Sequence, residues 1–379
     1  MKKVMVTGGA GFIGSHTADA LISQGYRVRL LDNLQATVHP KGKPDYLNPK
    51  AEFMLGDVRD PAVWLKALTD IDAVYHLAAY QDYLPDFSTF FSVNAVSTAL
   101  LYEILVAHAQ RFKVRKVIVA ASQAVMGEGR YRCDSCARGP QDFVYPDIRL
   151  EAQLAKGQWE HLCPQCGRPL QWLPSDESVI RPCNQYALSK HSQEQIAIQL
   201  GRRYQIPSVV MRYSIVQGPR QSFYNAYSGA MRIFALSLFF DRPPLIYEDG
   251  RQIRDFIDIE DVVAANLLVL QKESADFQVF NVGGGTAWTV SQFYDCMQQT
   301  VGKQLTPKME GLYRYGDTRH IFSDTSRLKA LGWTPKRSVP DSIRAYWDYL
   351  TSRQDREDIL AYAEAQMRKL NVIRKSEVR

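Results

Sequence analysis

The glycine-rich segment at residues 8–14, GGAGFIG, is the feature that most restricts how this chain can fold. It follows the apolar run KVMVT at 3–7 and precedes residues 16–24, which have helical spacing and are expected to end at Gly25. The pattern G-x-G-x-x-G allows a tight turn, close approach of a pyrophosphate to backbone N–H groups, and close packing of the helix. The sequence therefore predicts a strand, a phosphate-binding turn and a helix.

Five further apolar runs have the composition of short strands, and helical patterns separate most of them. Strands that alternate with helices in this way form a parallel sheet with helices on both faces. The chain is therefore predicted to be an α/β protein with a doubly wound parallel sheet of the Rossmann type. The runs lie at 27–31, 52–55, 72–77, 114–120 and 208–212.

Asp32 stands at the end of the second predicted strand. A carboxylate at this place can accept hydrogen bonds from the hydroxyl groups of an adenine ribose, and it would repel a 2′-phosphate. The glycine turn and Asp32 together predict a dinucleotide site for NAD rather than NADP. An ordinary glycine-rich turn followed by an ordinary loop aspartate is the alternative.

Tyr186 and Lys190 open a predicted helix over 186–204, in the sequence YALSK, and their spacing places both side chains on one face. An ammonium group beside a phenol lowers the pKa of the phenol, and the phenolate can take a proton from a substrate hydroxyl. Ser122 ends the fifth predicted strand, where a doubly wound sheet binds its ligands. Ser122, Tyr186 and Lys190 are therefore the candidate catalytic residues. A surface helix with an exposed tyrosine is the alternative.

Residues 128–178 interrupt the alternation of strands and helices, because turn residues, charges and cysteines are mixed there without sustained periodicity. This segment is interpreted as an insertion. We expect five parts along the chain: an NAD-binding Rossmann domain at 1–127, a zinc-binding insertion at 128–178, the continued Rossmann domain with the catalytic helix at 179–213, a smaller substrate domain at 214–350 that partly returns to the sheet, and a charged helical tail at 351–379.

Four of the six cysteines form two CxxC pairs inside the insertion. The proline and glycine around the second pair, in CPQCG, favour a knuckle that directs two thiolates to one tetrahedral zinc ion. Four thiolate ligands leave no open position, so the predicted site is structural. Reduced free thiols and a redox-active pair are the alternatives. The predicted ligands are Cys133, Cys136, Cys163 and Cys166.

Composition and charge argue against several other classes of protein. Hydrophobic residues make up 46% and charged residues 23%, as in soluble globular proteins, and 46 Lys and Arg against 40 Asp and Glu give only a dilute positive charge. The basic residues of the insertion at 128–178 are matched by acids and form no stripe with aromatic residues, so nucleic-acid binding is not expected. The run at 233–240 is taken as the nearest approach to a membrane helix, and a cytoplasmic protein without a membrane span is expected.

The motifs resemble those of the extended short-chain dehydrogenase/reductases, in the group of nucleotide-sugar epimerases and dehydratases. The resemblance covers roughly residues 1–127 and 175–345, in segments that include VTGGAGFIGSH, LLDNL, GDVRD, HLAA, YALSK, NVGGG and GDTRHIF. The insertion and the segment RYSIVQGPRQSFYNAYSGAMR resemble, more narrowly, the subgroup of dTDP-L-rhamnose 4-epimerases. The resemblance implies NAD, a nucleotide-sugar substrate and a homodimer formed through a four-helix bundle. The predicted helices at 94–110 and 186–204 have apolar positions beyond one sheet-facing stripe, as such an interface requires.

The same resemblance assigns residues to ligands. For the substrate it implies Ser122 and Gln123, together with Arg254 and Arg314 as a clamp on the diphosphate, a role to which guanidinium groups are suited. An unpaired surface arginine is the alternative for Arg314. For the cofactor it implies Gly8, Gly11, Phe12, Ile13, Gly14, Asp32, Asn33, Asp57, Val58, Leu77, Ala78, Ala79, Asn94, Tyr186 and Lys190.

Departures from the family pattern narrow the expected reaction. Family members that eliminate water or a carboxyl group carry acidic residues just after the hydroxyl that ends the fifth strand, whereas this chain has Gln123 and Ala124. Members that epimerise beside a ketone usually have a cysteine there, and none is present. Two reactions that move a hydride remain: epimerisation at carbon 4 by hydride removal and return, and simple dehydrogenation. The usual asparagine of R-Y-F-N-V-Y-G-P-R is Ile215 here, and Asn225 is the candidate replacement.

Three alternatives to a dTDP-6-deoxyhexose 4-epimerase stay open at this point. Another 4-epimerase of the UDP-hexose type would use the same residues on a different sugar nucleotide. A nucleotide-sugar dehydrogenase would use them with net turnover of NAD. A non-catalytic dinucleotide-binding module is disfavoured by the intact set of Ser122, Tyr186 and Lys190.

Overall fold

The chain folds around a sheet of seven parallel strands, as the apolar runs predict. The computed structural model describes residues 2–82, 84–223, 229–354, 358 and 360–377. The strands in these residues are β1 (Lys3–Thr7), β2 (Arg27–Asp32), β3 (Glu52–Leu55), β4 (Ala73–His76), β5 (Lys116–Ser122), β6 (Arg130–Arg132), β7 (Gln171–Leu173), β8 (Ser208–Tyr213), β9 (Ile215–Gln217), β10 (Ile253–Asp258), β11 (Gln278–Val282), β12 (Ala287–Thr289), β13 (Leu312–Arg314) and β14 (Ile373–Lys375).

Helices cover both faces of the large sheet, because successive residues of each strand point to opposite faces and both sets are apolar. On β1, Val4 and Val6 join the core on one face, and Met5 joins the core on the other. The helices are α1 (Phe12–Ser23), α2 (Pro61–Ala67), α3 (Phe87–Phe90), α4 (Ser97–Ala107), α5 (Glu151–Leu154), α6 (Gln185–Arg203), α7 (Ala230–Phe239), α8 (Ile259–Gln271), α9 (Val290–Val301), α10 (Ser326–Ala330), α11 (Val339–Ser352) and α12 (Leu360–Lys369).

The strand order in the large sheet is β11-β8-β5-β4-β1-β2-β3, with all neighbouring strands parallel. The order reverses between β1 and β4, so the connections leave the sheet on opposite sides there. Such a switch point opens a crevice at the carboxyl ends of the strands, where doubly wound proteins bind their ligands. The predicted fold class is confirmed.

Helix α1 begins at Phe12, four residues before the predicted start. The glycine turn runs directly into the helix, since the N–H of Ser15 already donates to the carbonyl oxygen of Gly11 (3.0 Å). The predicted end is confirmed, because Gln24 caps the helix and Gly25 follows with φ of +84°. That left-handed conformation favours glycine over residues with a Cβ atom.

The expectation that residues 233–240 come nearest to a membrane helix is wrong. A continuous helix over Phe87–Ala107 has 21 residues, and an 18-residue window within it has a mean hydropathy of 1.6, so its length and composition would allow it to cross a membrane. Serines, threonines and an asparagine are interspersed among its apolar residues, so no long apolar run marks this helix in the sequence. Half of its apolar window is buried inside the protein, where Leu101 and Leu105 join the core of the sheet. This burial is a sufficient reason for its apolar character.

A second core lies outside the large sheet. Strands β9, β10 and β12 form a three-stranded sheet, and helices α7, α9 and α11 pack with it around Phe234, Phe293 and Tyr346. Strands β6 and β7 of the insertion pair antiparallel and enclose a small core of their own with Tyr131 and Leu170.

The carboxyl-terminal residues add a strand that the sequence analysis did not predict. Helix α12 falls in the expected helical tail, but β14 follows it and pairs antiparallel with β13. Met367 and Ile373 pack with Leu312 beneath this pair. The tail therefore supports the strand that ends at Arg314.

Candidate functional site

The glycine turn has the shape that a bound pyrophosphate requires. Gly8 has φ of +65°, and a Cβ atom there would lie 2.8 Å from the backbone nitrogen of Ala78. A Cβ atom on Gly14 would lie 2.2 Å from the carbonyl oxygen of Gly8. Only glycine fits these two positions, and Gly11, Phe12 and Ile13 lead from the turn into the amino-terminal end of α1. Backbone N–H groups and the helix dipole favour an anion there, so the residues fit a dinucleotide.

Asp32 is buried at the end of β2 and forms a hydrogen bond with the backbone of the glycine turn. One carboxylate oxygen accepts a hydrogen bond from the N–H of Ala10 (2.9 Å), and the other accepts one from the N–H of Leu34 (2.8 Å). A carboxylate has further lone pairs, so these bonds leave acceptor capacity for a ribose diol. Asp32 therefore fixes the backbone of the glycine turn, in addition to its predicted role as an acceptor for the ribose hydroxyl groups.

Asn33 and Asp57 meet at the carboxyl edge of β2 and β3. The side-chain amide of Asn33 donates to Asp57 (3.1 Å), and Arg59 pairs with the same carboxylate (2.7 Å). The hydrogen bonds from Arg59 outweigh the effect of burial and lower the pKa of Asp57 to about 2. Val58 is buried beside them, and its carbonyl oxygen accepts from the indole of Trp64 (2.6 Å). The structure therefore brings these three predicted residues together.

The loop after β4 lies against the glycine turn. The N–H of Ala78 donates to the hydroxyl of Thr7 (3.1 Å). Leu77 and Ala78 are half-buried, whereas Ala79 is exposed. Asn94 is fully buried in the π-helical segment Phe91–Val96 and binds the loop through the backbone of Tyr80 (2.8 and 3.1 Å).

Asn94 also joins this loop to helix α6. Its amide donates to the hydroxyl of Ser189 on α6 (2.9 Å), so both amide hydrogens are engaged inside the protein. The resemblance placed Asn94 in the lining of the cofactor cleft. In the structure its side chain ties together two elements that border the cleft.

Lys190 fixes helix α6 to the end of strand β5. Its ammonium group is buried and donates to the carbonyl oxygen of Ala120 (2.6 Å), two residues before Ser122. Asn184 caps the helix by accepting from the N–H of Ala187 (2.8 Å), which sets the first turn that carries Tyr186. Burial lowers the pKa of Lys190 to about 7. The three candidate catalytic residues thus stand on two elements that are bonded to each other at the carboxyl end of the sheet.

Gln193 is a residue of this site that the sequence analysis missed. Its side-chain oxygen accepts from Lys190 (2.8 Å), and its amide donates to Thr98 on α4 (2.9 Å). The signal was the spacing of three residues from Lys190, which places both on one face of a helix. A buried glutamine holds the ammonium group by a hydrogen bond and adds no charge.

Two predicted substrate arginines lie near each other at the edge of the second core. Arg254 on β10 donates to the carbonyl oxygens of Thr318 (2.9 Å) and Arg319 (3.0 Å). Arg314 ends β13, pairs with Asp317 and lies over the ring of Tyr247, 5.0 Å from its centroid. Burial lowers the pKa of Arg254, and the charge of Arg314 lowers it further against the opposing effect of Asp317. Two neighbouring guanidinium groups favour an anionic ligand such as a diphosphate.

Among the described residues, several side-chain amides have buried atoms without a hydrogen-bond partner, and two of them are considered for the site. The side-chain oxygen of Gln123 is one, directly after Ser122, and both polar atoms of Gln217 at the end of β9 are the other. Buried polar groups are normally paired, so such atoms are candidates to contact a ligand or water. Gln217 was not predicted. Ile215 is partly buried, and Asn225, its predicted replacement, lies outside the described residues.

The four cysteines of the insertion form one cluster. Their sulfur atoms lie within 4.8 Å of one another, and those of Cys133 and Cys166 are 3.6 Å apart. Zinc–sulfur bonds of about 2.3 Å in a tetrahedron place sulfurs roughly 3.8 Å apart, so the donor set fits zinc. Backbone N–H groups of Cys166 and Gln165 lower the pKa of Cys163 to about 7, whereas the hydrogen bond with Cys166 raises that of Cys136 to about 12.

Comparison with known proteins decides the family. The model of the NAD dependent epimerase/dehydratase family matches residues 4–145 and 164–283. The chain belongs to this family. The predicted membership of the nucleotide-sugar epimerase and dehydratase group is confirmed, as is the predicted class of enzyme, an NAD-dependent nucleotide-sugar epimerase.

Relatives of this family member align over nearly its whole length. A dTDP-L-rhamnose 4-epimerase of Burkholderia thailandensis is 31% identical over 366 residues, which cover 94% of this chain and 97% of that protein. A putative UDP-glucose 4-epimerase of Methanocaldococcus jannaschii is 29% identical, with 90% and 96% covered. These two relatives differ in the nucleotide and sugar that their names give.

Solved structures of the family superpose on the chain. A UDP-glucose 4-epimerase from Thermotoga maritima with UDP-glucose has a TM-score of 0.75 at 28% identity, and 92% of this chain and 99% of that chain are covered. A UDP-glucuronic acid 4-epimerase from Bacillus cereus, in complex with UDP-glucuronic acid and NAD, has a TM-score of 0.71 at 25% identity, with the same coverage. The likeness confirms the fold predicted from the sequence.

Proposed function

We propose that this family member is an NAD-dependent nucleotide-sugar 4-epimerase whose substrate is a dTDP-6-deoxyhexose such as dTDP-L-rhamnose. The observation that carries the reaction type is the docking of α6 on β5, which places Tyr186 and Lys190 at the same edge of the sheet as Ser122 and the glycine turn. The dTDP-L-rhamnose 4-epimerase relative supports this choice of substrate. The NAD complex of the Bacillus cereus relative supports the cofactor.

The proposed residues divide the work of the reaction. Bound NAD would supply the hydride acceptor and donor at carbon 4 of the sugar. Tyr186 takes the proton from the 4-hydroxyl group and later returns it, since a positioned phenolate is a general base. Ser122 holds the same oxygen, and the ammonium group of Lys190 stabilises the phenolate. Arg254 and Arg314 bind the diphosphate and leave the sugar free to turn between the two half-reactions.

The turn after Ser122 supports epimerisation at carbon 4 rather than chemistry at neighbouring carbons. Residues Gln123–Met126 form a 3₁₀ turn with the sequence QAVM, which contains no acid and no cysteine. Proton transfer at carbon 3 or 5 needs an acid–base group beside that carbon. A turn without an acid or a cysteine favours a reaction in which carbon 4 is the only ring carbon that loses a hydrogen.

Conversion of sugar nucleotides by purified protein tests this proposal. We expect NMR to show interconversion of dTDP-L-rhamnose and its 4-epimer without added NAD, because the cofactor returns to its starting state in each cycle. Turnover confined to UDP-hexoses would favour the second candidate, a UDP-hexose 4-epimerase, which the Methanocaldococcus jannaschii relative and the UDP-glucose complex support. Steady accumulation of free NADH would identify a dehydrogenase instead.

We also propose that the four cysteines hold a structural zinc ion. The donor set supports this proposal, because four thiol groups converge and leave no position open for a substrate. Cys133 and Cys163 are buried, Cys136 is half-buried and Cys166 is exposed, so the cluster lies at the edge of the small core of the insertion. Zinc would supply there the cross-link that so small a core lacks.

A homodimer is the third part of the proposal, and exposed apolar side chains on two adjacent helices support it. Val96 is 57% exposed and Leu188 is 45% exposed, and they flank the buried hydrogen bond between Asn94 and Ser189. Phe87 is also exposed, at the beginning of the same long helix. A second copy would cover both helices through a two-fold axis, with the same patch on each subunit.

Replacing Val96 and Leu188 together by glutamate should convert the dimer to a monomer. Four buried carboxylates at one interface have no partners, and their desolvation costs more than the contact can supply. Light scattering at micromolar concentration measures the mass. Leu55→Glu, an exposed leucine on the edge strand β3, is the control and should leave the dimer intact. A wild-type protein that is already monomeric would refute the dimer.

A further inference from the structure

The segment at residues 313–320 determines the position of both arginines that are candidates for the diphosphate. Arg314 is part of this segment. Arg254 lies on β10, but it donates hydrogen bonds to the carbonyl oxygens of Thr318 and Arg319 in the segment. A displacement of the segment would therefore move both guanidinium groups relative to the cofactor cleft.

Glu160, in the cysteine-bearing insertion, holds the distal end of this segment. One carboxylate oxygen accepts from Nε of Arg319 (3.1 Å) and also from its Nη2, and the other pairs with Nε2 of His320 (2.8 Å). Cys163 of the metal cluster follows Glu160 by three residues. The insertion thus reaches the segment through a residue close to the cysteine cluster.

Arg149 and Trp159 hold the proximal end of the segment from the same insertion. Arg149 donates to the carbonyl oxygen of Asp317 (2.8 Å) and forms a buried two-bond pair with Glu248 (2.9 and 2.8 Å). The ring of Trp159 lies 6.0 Å from that of Tyr313, measured between centroids. Arg314 therefore lies between two residues, Tyr313 and Asp317, that the insertion contacts directly.

Glu160 can be replaced without leaving the buried charge of Arg319 unpaired, because Arg319 has other carboxylate partners. Arg319 is 0% exposed and pairs with Glu248 (2.8 Å) and Asp249 (2.7 Å) as well as with Glu160. Burial would raise the pKa of Glu160, but the bonds from His320 and Arg319 outweigh it and lower the pKa to about 2. Without Glu160, two carboxylates still compensate Arg319, so the loss should loosen the segment rather than unfold it.

We propose that Glu160 is a positioning residue through which the cysteine-bearing insertion sets the affinity of the enzyme for the diphosphate of its substrate. It acts by fixing the segment 313–320, and through that segment Arg254 and Arg314. This inference rests on the proposed function, because it requires that these arginines bind a nucleoside diphosphate.

Titration of nucleoside diphosphates into the NAD-loaded enzyme tests the proposal. We compare wild type with Glu160→Ala and with Asp147→Ala, which removes an exposed carboxylate from the same insertion. Calorimetry with dTDP and with UDP should show a Kd about tenfold higher for Glu160→Ala, the size expected for loss of a charge-assisted contact. The Asp147→Ala variant should bind as wild type does. Turnover at saturating sugar nucleotide, zinc content and bound NAD should stay unchanged in both.

Two results would overturn the inference while leaving the proposed function intact. One is an unchanged Kd in Glu160→Ala. The other is a weaker affinity accompanied by lower kcat, lost NAD or lost zinc, which would indicate general damage rather than positioning. If wild type itself binds neither dTDP nor UDP, the proposed function fails together with the inference.

A double variant tests the route through the arginine. If Glu160 acts by positioning Arg314, Glu160→Ala should cost clearly less affinity in an Arg314→Ala background than in wild type, because one of the groups it positions is already gone. Independent, fully multiplicative losses would show that Glu160 does not act through Arg314, contrary to the proposal.

Discussion

Replacing Tyr186 by phenylalanine should lower turnover by ~10²- to 10⁴-fold, the usual loss when a general base is removed. The substitution deletes one hydroxyl group and keeps the ring. The hydrogen bonds of Lys190 to Ala120 and Gln193 do not involve that hydroxyl, so helix α6 should stay docked on β5. Bound NAD, measured after release by acid, should therefore remain near the wild-type amount. The variant should therefore keep its bound NAD and lose its turnover.

A matched control for this variant is Tyr204→Phe. Tyr204 caps the other end of α6 and is exposed, so the same hydroxyl is lost far from the carboxyl end of the sheet. We expect wild-type turnover from it. Retention of most activity in Tyr186→Phe would exclude Tyr186 as the base.

The deuterium content of the product is a second test of the proposed hydrogen transfer at carbon 4. In a reaction confined to carbon 4, the hydrogen on that carbon is removed and returned without exchange with water. Product formed in deuterium oxide should then contain no deuterium in the sugar ring. Deuterium at carbon 3 or 5 would instead show proton abstraction beside a ketone.

Replacing Cys163 by serine should lower the free energy of unfolding by about 3 kcal/mol or more, because metal binding is coupled to folding in small metal-bound units. Cys163 is buried, and its backbone accepts from Gly167 and donates to Arg168, so it organises the turn of the second pair. A serine hydroxyl is a poor ligand for zinc and would leave three thiolates. Thermal melting and limited proteolysis of residues 128–178 measure the effect.

Elemental analysis provides the direct measurement for the metal. Freshly reduced wild type should carry one zinc per chain, and Cys163→Ser should carry much less. Cys183→Ser is the control, because Cys183 is exposed and lies outside the cluster. Less than about 0.1 zinc per chain in wild type would refute a structural zinc site.

Local patterns in the sequence were sufficient to predict the frame of the molecule. A continuous apolar run such as KVMVT specifies a strand buried on both faces, and β1 has both faces in a core. The glycines of the turn specify the close approach at Gly8 and Gly14, which no residue with a Cβ atom would permit. The spacing of Tyr186 and Lys190 specifies a shared helix face. Each of these features depends on neighbours within a few residues, so a short window of sequence contains it.

Contacts between distant segments could not be predicted in this way. Asn94 and Ser189 are 95 residues apart, and Glu160 and Arg319 are 159 residues apart. The pairing of β14 with β13 joins Leu312 to Lys375 and Arg314 to Ile373, which are also far apart in the sequence. No periodicity connects such positions, because they meet only after the sheet and the insertion have folded.

The sequence by itself therefore determined the fold class, the glycine turn, the helix that carries Tyr186 and Lys190, and the two cysteine pairs that converge. The tertiary structure alone decided which side chains join these parts. Gln193 accepts a hydrogen bond from Lys190, and Asn94 joins the loop after β4 to α6. Glu160 joins the insertion to the segment 313–320. The physical reason is that backbone geometry and side-chain period act locally. Hydrogen bonds and ion pairs of buried polar groups depend on which surfaces the packed core brings together.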